Sequence, residues 1–158
     1  PLLLRPVKLS DEALIEDFFR ALSDRSLEMR YVGRQLSFPH ARRQQLVAID
    51  ATREMVILAV VAAEGREQVV GLGEYYLDEA KHTAEVAFAV RDDHQNRGIG
   101  TALIHHLIFL AKRQGLHGFT AEVRRDNEPM LHLFRKMNFD IKTRRDELVF
   151  DLTMTFRE

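Results

Sequence analysis

The residues with the most chemical promise lie between Val86 and Leu110. A strand-like pattern ending at Val90 gives way to the polar Arg91-Asp92-Asp93-His94. Gln95-Asn96-Arg97-Gly98-Ile99-Gly100 follows, and then a strongly apolar helical pattern. Gly98 and Gly100 remove side chains where a ligand would approach the main chain. The amides from Arg97 to Thr101 can then point outward at a helix N-terminus, whose partial positive charge favours phosphate. Arg97 can add a full charge and Thr101 a hydroxyl, so the chemistry on offer is anion binding. The two glycines alone fit a plain strand-to-helix turn equally well.

Two familiar phosphate loops fit less well. An ATP-type loop needs a Lys-Ser/Thr pair opening the helix, and Thr101-Ala102 is not that pair. The dinucleotide fingerprint would use Gly98-Ile99-Gly100 after a strand, with Glu122 about 20 residues further on. Leu103, however, stands where its third glycine belongs, and the polar run after Val90 spoils the tight turn. No metal is expected. His105 and His106 are adjacent, so they point about 100° apart on a helix, and no carboxylate cluster completes a site. His94, beside the loop, reads as a surface histidine or a phosphate contact. With no cysteine there is neither a disulfide framework nor a thiol nucleophile.

Several elements must position this turn. Leu2 to Val7 reads as a strand, and Ser10 as the N-cap of a helix that buries Ala13, Leu14, Phe18, Ala21 and Leu22. Residues 23–39 are less regular, and Pro39 opens a helix through Ile49. Met55 to Ala63 is a nearly continuous apolar run, the pattern of a strand buried on both faces. Gln68 to Leu77 and His82 to Val90 complete an antiparallel meander. After Gly100, Leu103, Ile104, Leu107, Ile108 and Ala111 form an inner helical face, with Gly115 at its left-handed end. Gly118 to Val123 is a strand, Glu128 to Met137 a helix, and Phe139 to Thr143 with Leu148 to Met154 a closing hairpin. This order predicts an α+β (mixed α/β) fold around one central, mostly antiparallel sheet.

The 158 residues suit a single domain, 1–158, with one core. An opening Pro1 without methionine is expected of a processed chain or a piece excised from a longer one. The formal charge of -1 argues against a nucleic-acid binder, which would be strongly basic. Arg42-Arg43, Arg124-Arg125 and Arg144-Arg145 read as solvated turns or strand ends. No apolar run approaches the roughly 18 residues of a membrane span, and Pro1 to Pro6 lacks signal-peptide features. A cytoplasmic setting is the expectation.

Gln95-Asn96-Arg97-Gly98-Ile99-Gly100-Thr101-Ala102-Leu103 resembles the Gln/Arg-x-x-Gly-x-Gly/Ala pyrophosphate loop of the Gcn5-related N-acetyltransferases. Ala84-Glu85-Val86-Ala87-Phe88-Ala89-Val90 is similar to that family's central strand. Asn127 followed by Met130, Phe134, Lys136 and Phe139 resembles its last motif. The resemblance implies a sheet of six or seven strands flanked by helices, with acetyl-CoA as cosubstrate. Phe88, Ala89 and Val90 would offer main-chain groups to the pantetheine arm. Gln95, Asn96, Arg97, Gly98, Ile99, Gly100 and Thr101 would hold the pyrophosphate, and Asn127 would lie near the pantetheine.

Arg5-Pro6-Val7 through Asp17-Phe18-Phe19, with the central strand, most resembles bacterial Pat-type protein lysine acetyltransferases. That resemblance implies a protein substrate with an acceptor lysine, and in some members a fused acyl-CoA-synthetase-like region. Alternatives are acetylation of a small amine or an N-terminus, or a non-catalytic acyl-CoA sensor. A lysine amine is neutral only about once in two thousand at pH 7, a handicap of roughly 4–5 kcal/mol. A carboxylate can remove its proton. By the resemblance that base is Glu85, with Glu74 second and Glu122 structural. The family's usual tyrosine acid falls at Phe134, which cannot donate; Tyr75, Tyr76 or water are the substitutes. Asn138, in place of a glycine, is expected to take a left-handed helix end.

Overall fold

The computed structural model describes residues 1–24 and 52–157. The expected helix from Pro39 to Ile49, most of the irregular stretch before it and Arg42-Arg43 lie outside the described residues. In chain order the elements are β1 (Leu3–Pro6), α1 (Glu12–Arg20), β2 (Glu54–Ala63), β3 (Arg66–Asp78) and β4 (Thr83–Val90). Next come α2 (Ile99–Arg113), β5 (Gly118–Arg124), α3 (Glu128–Lys136), β6 (Phe139–Arg145) and β7 (Val149–Phe156), with short 3-10 turns at Leu9–Asp11 and Asp92–His94. Among the described residues, no helix is long and apolar enough to cross a membrane.

The strands form one seven-stranded sheet in the order β1-β2-β3-β4-β5-β7-β6. Every pairing is antiparallel except β4 with β5. The apolar run of β2 explains why both faces of the sheet are covered. Val56, Leu58 and Val60 pack with Ile15, Phe18, Phe19 and Leu22 from α1 and just beyond it, while Ile57 and Ala59 join Leu103, Ile104 and Leu107 of α2. Leu131 and Phe134 of α3 extend that second layer.

Two details at the first helix differ from the sequence pattern. Its buried stripe is Ile15, Phe18, Phe19 and Leu22, whereas Ala13 and Ala21 face solvent. The larger side chains claim the core because they remove more apolar area from water. Ser10 is not the N-cap. It lies inside the 3-10 turn, and α1 has Asp11 as its N-cap residue with no side-chain cap bond. The Asp11 carboxylate turns inward and accepts from Arg5 Nη1 and Nη2, each at 2.8 Å, and from the Lys8 amide at 2.8 Å. Burial alone would raise this carboxyl, but the bonds from Arg5 and Lys8 outweigh it and hold the group below its ordinary value.

Helix ends follow local chemistry. Gly115, with φ 81°, closes α2, and the next amide, of Leu116, donates to Ala111 O at 3.0 Å. The expected left-handed Asn138 is not found: the described non-glycine residues with positive φ are Glu64, His82 and Asn96. α3 instead ends on Met137 in an extended conformation (φ -78°, ψ 160°), and Phe139 N–H donates to Met137 O at 2.9 Å. That tight turn needs no left-handed residue.

The feature that makes a site is the split between β4 and β5. They pair only at Thr83↔Gly118, Ala84↔Phe119 and Glu85↔Thr120. Beyond that point β4 stays with β3 as far as Val90↔Gly71, and β5 stays with β7 as far as Arg124↔Val149. The strands therefore diverge, each held by its outer neighbour. At the root of the split Gly118 is pressed against β7; a Cβ there would stand 2.1 Å from Met154 O.

Candidate active site

Diverging strands leave one edge of β4 without a ladder partner from Val86 onward. The gap is bordered by Val86, Ala87 and Phe88 of β4, by Ala121, Glu122 and Val123 of β5, and by Asn127, Met130 and Phe134. It opens into a cleft of about 640 Å³ between the end of β4, the glycine turn and α3. Phe88, Asn127 and Met130 border both spaces. The size and the mixed lining are those of a small-molecule site.

The glycine turn forms one wall. Gly98 is the N-cap residue of α2 with φ 82°, a left-handed conformation that disfavours any side chain. Asn96 is also left-handed, with φ 63°, which asparagine tolerates. The first backbone bond into the helix runs from Ala102 N–H to Gly98 O at 3.0 Å. The amides of Ile99, Gly100 and Thr101 lie ahead of the helix's own ladder, and all three residues border the cleft. The residues to which the sequence reading assigned an anion thus border open space.

Side chains near the turn behave less uniformly. Gln95 borders the cleft, but its Nε2 donates to Val90 O at 3.0 Å. The carbonyl of Val90 is therefore engaged with the protein. Arg91 N–H donates to Val70 O at 2.8 Å, a ladder phase that bonds Ala89 to Leu72 of β3 and leaves the Phe88 main chain and the Val90 N–H on the open edge. Arg97 is exposed and its side chain is not part of the cleft lining, so its share in the turn is the backbone. His94 borders the cleft with Nδ1 2.9 Å from Asp93 Oδ1. Hydrogen bonds from Arg91 and with His94 hold the Asp93 carboxyl well below the usual range. Asp92 accepts from the Ser23 amide at 3.1 Å and from Ser23 Oγ at 2.9 Å, tying the end of the first helical layer to the turn.

Asn127 is 8% exposed and caps α3, its Oδ1 accepting from Met130 N–H at 3.3 Å. The cap uses the oxygen, so the amide nitrogen is the donor left to serve the two spaces it borders. Phe134, 1% exposed, sits on the gap with its ring centroid 6.1 Å from that of Phe88. Among the described residues, no hydroxyl borders that gap.

Glu85 belongs to the last β4–β5 pair, and its side chain shares a sheet face with Ala87 and Ala89, opposite Val86 and Phe88. It borders neither the gap nor the cleft; it stands at their root, on the α1 side. Tyr76 is its direct partner on β3, and Glu74, 2% exposed, is diagonal to it on the same face. Glu122 borders the gap from β5, although its sequence context showed only a strand residue. Tyr75 is excluded as a proton donor for the site. It points to the opposite face, 1% exposed, and donates its hydroxyl to Gln114 at the C-terminal end of α2; burial pushes it up to about 12. His106 stacks on Phe109, with centroids 6.5 Å apart.

The sequence profile of the Acetyltransferase (GNAT) family matches residues 16–139. The chain belongs to that family. Among relatives, it is 30% identical to Acetyltransferase PA5475 of Pseudomonas aeruginosa over 72% of this chain and 61% of that protein. It is 31% identical to the L-methionine sulfoximine/L-methionine sulfone acetyltransferase of the same species, over 52% of this chain and 50% of that protein. The matches thus span 61% and 50% of these relatives' own lengths. Among solved structures, the GNAT domain of S. lividans PAT superposes with a TM-score of 0.83 at 24% identity, covering 97% of this chain and 89% of that one. The mixed fold expected from the sequence is that of the family.

Proposed function

We propose that this GNAT chain moves an acetyl group from acetyl-CoA to an amine. The observation that carries this reading is the row of helix-ladder-free amides at Ile99, Gly100 and Thr101, opening on a cleft that continues along the unpaired edge of β4. A diphosphate suits the amides, and an extended amide-bearing arm suits the strand edge. When bound, acetyl-CoA supplies a thioester whose carbonyl carbon an amine can attack directly.

In this reading Phe88 and the Val90 N–H bond the pantetheine arm through the main chain, Asn127 donates its side-chain amide, and a β4 N–H meets the developing oxyanion. Glu85 accepts the proton of the incoming amine, directly or through one water, from the α1 side of the sheet. The new C–N bond forms as the C–S bond breaks. Phe134 offers no hydroxyl and Tyr75 is held by Gln114, so the departing thiolate takes its proton from water or from Tyr76, the β3 partner of Glu85. A cytoplasmic setting belongs to the same reading.

The acceptor is a protein lysine in this proposal, supported by the fold likeness to the PAT domain. The methionine sulfoximine relative favours a second reading, a small amino-acid amine. Calorimetry with acetyl-CoA, followed by mass spectrometry over lysine peptides, free amino acids and small amines, separates these. Absence of binding would defeat the enzyme reading; binding without transfer to any amine would leave an acyl-CoA sensor.

A further inference from the structure

The amide row and the β4 edge account for the diphosphate and the pantetheine arm, but coenzyme A carries a third phosphate. That group, on the 3′ position of the ribose, is a monoester with a charge of about -1.5 to -2 at pH 7. The cleft contains a group placed to meet it. α3 presents two different faces: Met130 and Phe134 border the inner gap, whereas Pro129, His132, Leu133 and Lys136 border only the outer cleft. The second set is spaced i, i+3, i+4 and i+7, a single helical stripe. Leu133 fixes where this stripe lies. Its Cδ2 would be 3.5 Å from a Cβ at Gly100, so the stripe runs directly across from the amides. His132 and Lys136 flank Leu133 along it.

The charges in the cleft leave Lys136 a clear role. It is the one lysine or arginine among the described residues of the lining. The carboxylates of the lining are engaged elsewhere, Asp92 with Ser23 and Asp126 with Arg124 at 3.0 Å. A cation left facing an outer cleft invites an anion, and the diphosphate already has the amides opposite.

We propose that Lys136, assisted by His132 one turn before it, binds the ribose 3′-phosphate, so that the protein selects coenzyme A over its 3′-dephospho form. The assignment rests on the acetyl-CoA reading above. The test is calorimetric titration of the full chain with coenzyme A and with 3′-dephospho-coenzyme A, for the native protein, Lys136→Ala and Lys136→Arg. The native protein should prefer coenzyme A by about tenfold or more, the scale of one charge-assisted hydrogen bond. Lys136→Ala should abolish most of that preference with little change in affinity for the dephospho form, and Lys136→Arg should keep it. A native preference near one, or a preference untouched in Lys136→Ala, overturns the assignment while leaving the acetyltransferase reading intact. If neither ligand binds the native protein, both fall together.

Discussion

Glu85 pairs with Thr120, and it is the last residue of β4 to have a partner on β5. A carboxylate is thus anchored at the point where the sheet divides, held from both sides at its backbone while its side chain reaches the α1 face. Glu85→Gln should lower kcat by about 100-fold or more and leave acetyl-CoA affinity nearly unchanged. Steady-state kinetics across pH 6–10, paired with calorimetry, provide the check. An unaltered rate and pH profile would transfer the role, with Glu74 and Glu122 next in line.

The turn offers a contrast between backbone and side chain. Gly98 has open space around a Cβ but a left-handed φ of 82°, so Gly98→Ala should cost roughly 1–2 kcal/mol of stability. Gly98→Asp adds a carboxylate beside the amides and should weaken acetyl-CoA binding by about tenfold or more. Arg97→Ala should do far less, since that side chain lies outside the cleft lining. Equal losses for Arg97→Ala and Gly98→Asp would contradict the main-chain account.

Tyr75 supplies a negative control. Tyr75→Phe removes the bond to Gln114 and should lower stability by about 1 kcal/mol with turnover unchanged. Because burial raises this hydroxyl from 10.0 to about 12, the folded state holds the proton more tightly. Its contribution is fully present below pH 10 and fades as pH rises from there through 12. Urea melts of native and Tyr75→Phe protein at pH 8 and pH 11 measure both effects.

Arg5 and Asp11 should govern acid stability. With Asp11 only 1% exposed, Asp11→Ala leaves Arg5 without its close partner and should cost about 3 kcal/mol. The folded-state carboxyl is lowered, so its stabilisation is present above the unfolded value near 3.9 and is lost as pH falls through the folded one. Asp11→Asn should flatten the acid limb of the urea-midpoint profile. An acid limb like that of the native protein would assign it to other carboxylates.

Gly118 tests the root of the split. Gly118→Ala would drive a Cβ into Met154 O, so β5 must move off β7, at a cost of several kcal/mol. Thermal denaturation reads that loss. A Tm within a degree of native would mean that β5 tolerates the shift.

Much of this is legible in the sequence, because period is a strong signal. The two-sided run of β2, the stripe of α2 and the closing hairpin all appear where their patterns put them. The turn was legible too, since Gly98 and Gly100 follow a strand and precede an apolar helix. What escaped were choices made by tertiary contacts. Ser10 and Asp11 both suit a helix start, and only Arg5, brought alongside by β1, turns Asp11 inward. The insertion of β7 between β5 and β6 leaves no local trace. His132 and Lys136 look like any solvated helix face until the cleft lies beside them. Tyr75 and Tyr76 are neighbours on β3, and packing alone decides that Tyr75 turns to Gln114 while Tyr76 lies beside Glu85.

The bond from Gln95 to Val90 bears on how tightly the cleft can hold its occupant. It fastens the start of the glycine turn to the strand along which the proposed ligand would extend. An arriving molecule therefore meets a receptor already folded into shape, and little of its binding energy is spent on freezing a loose loop. One side chain clasping the strand's main chain does that work in advance.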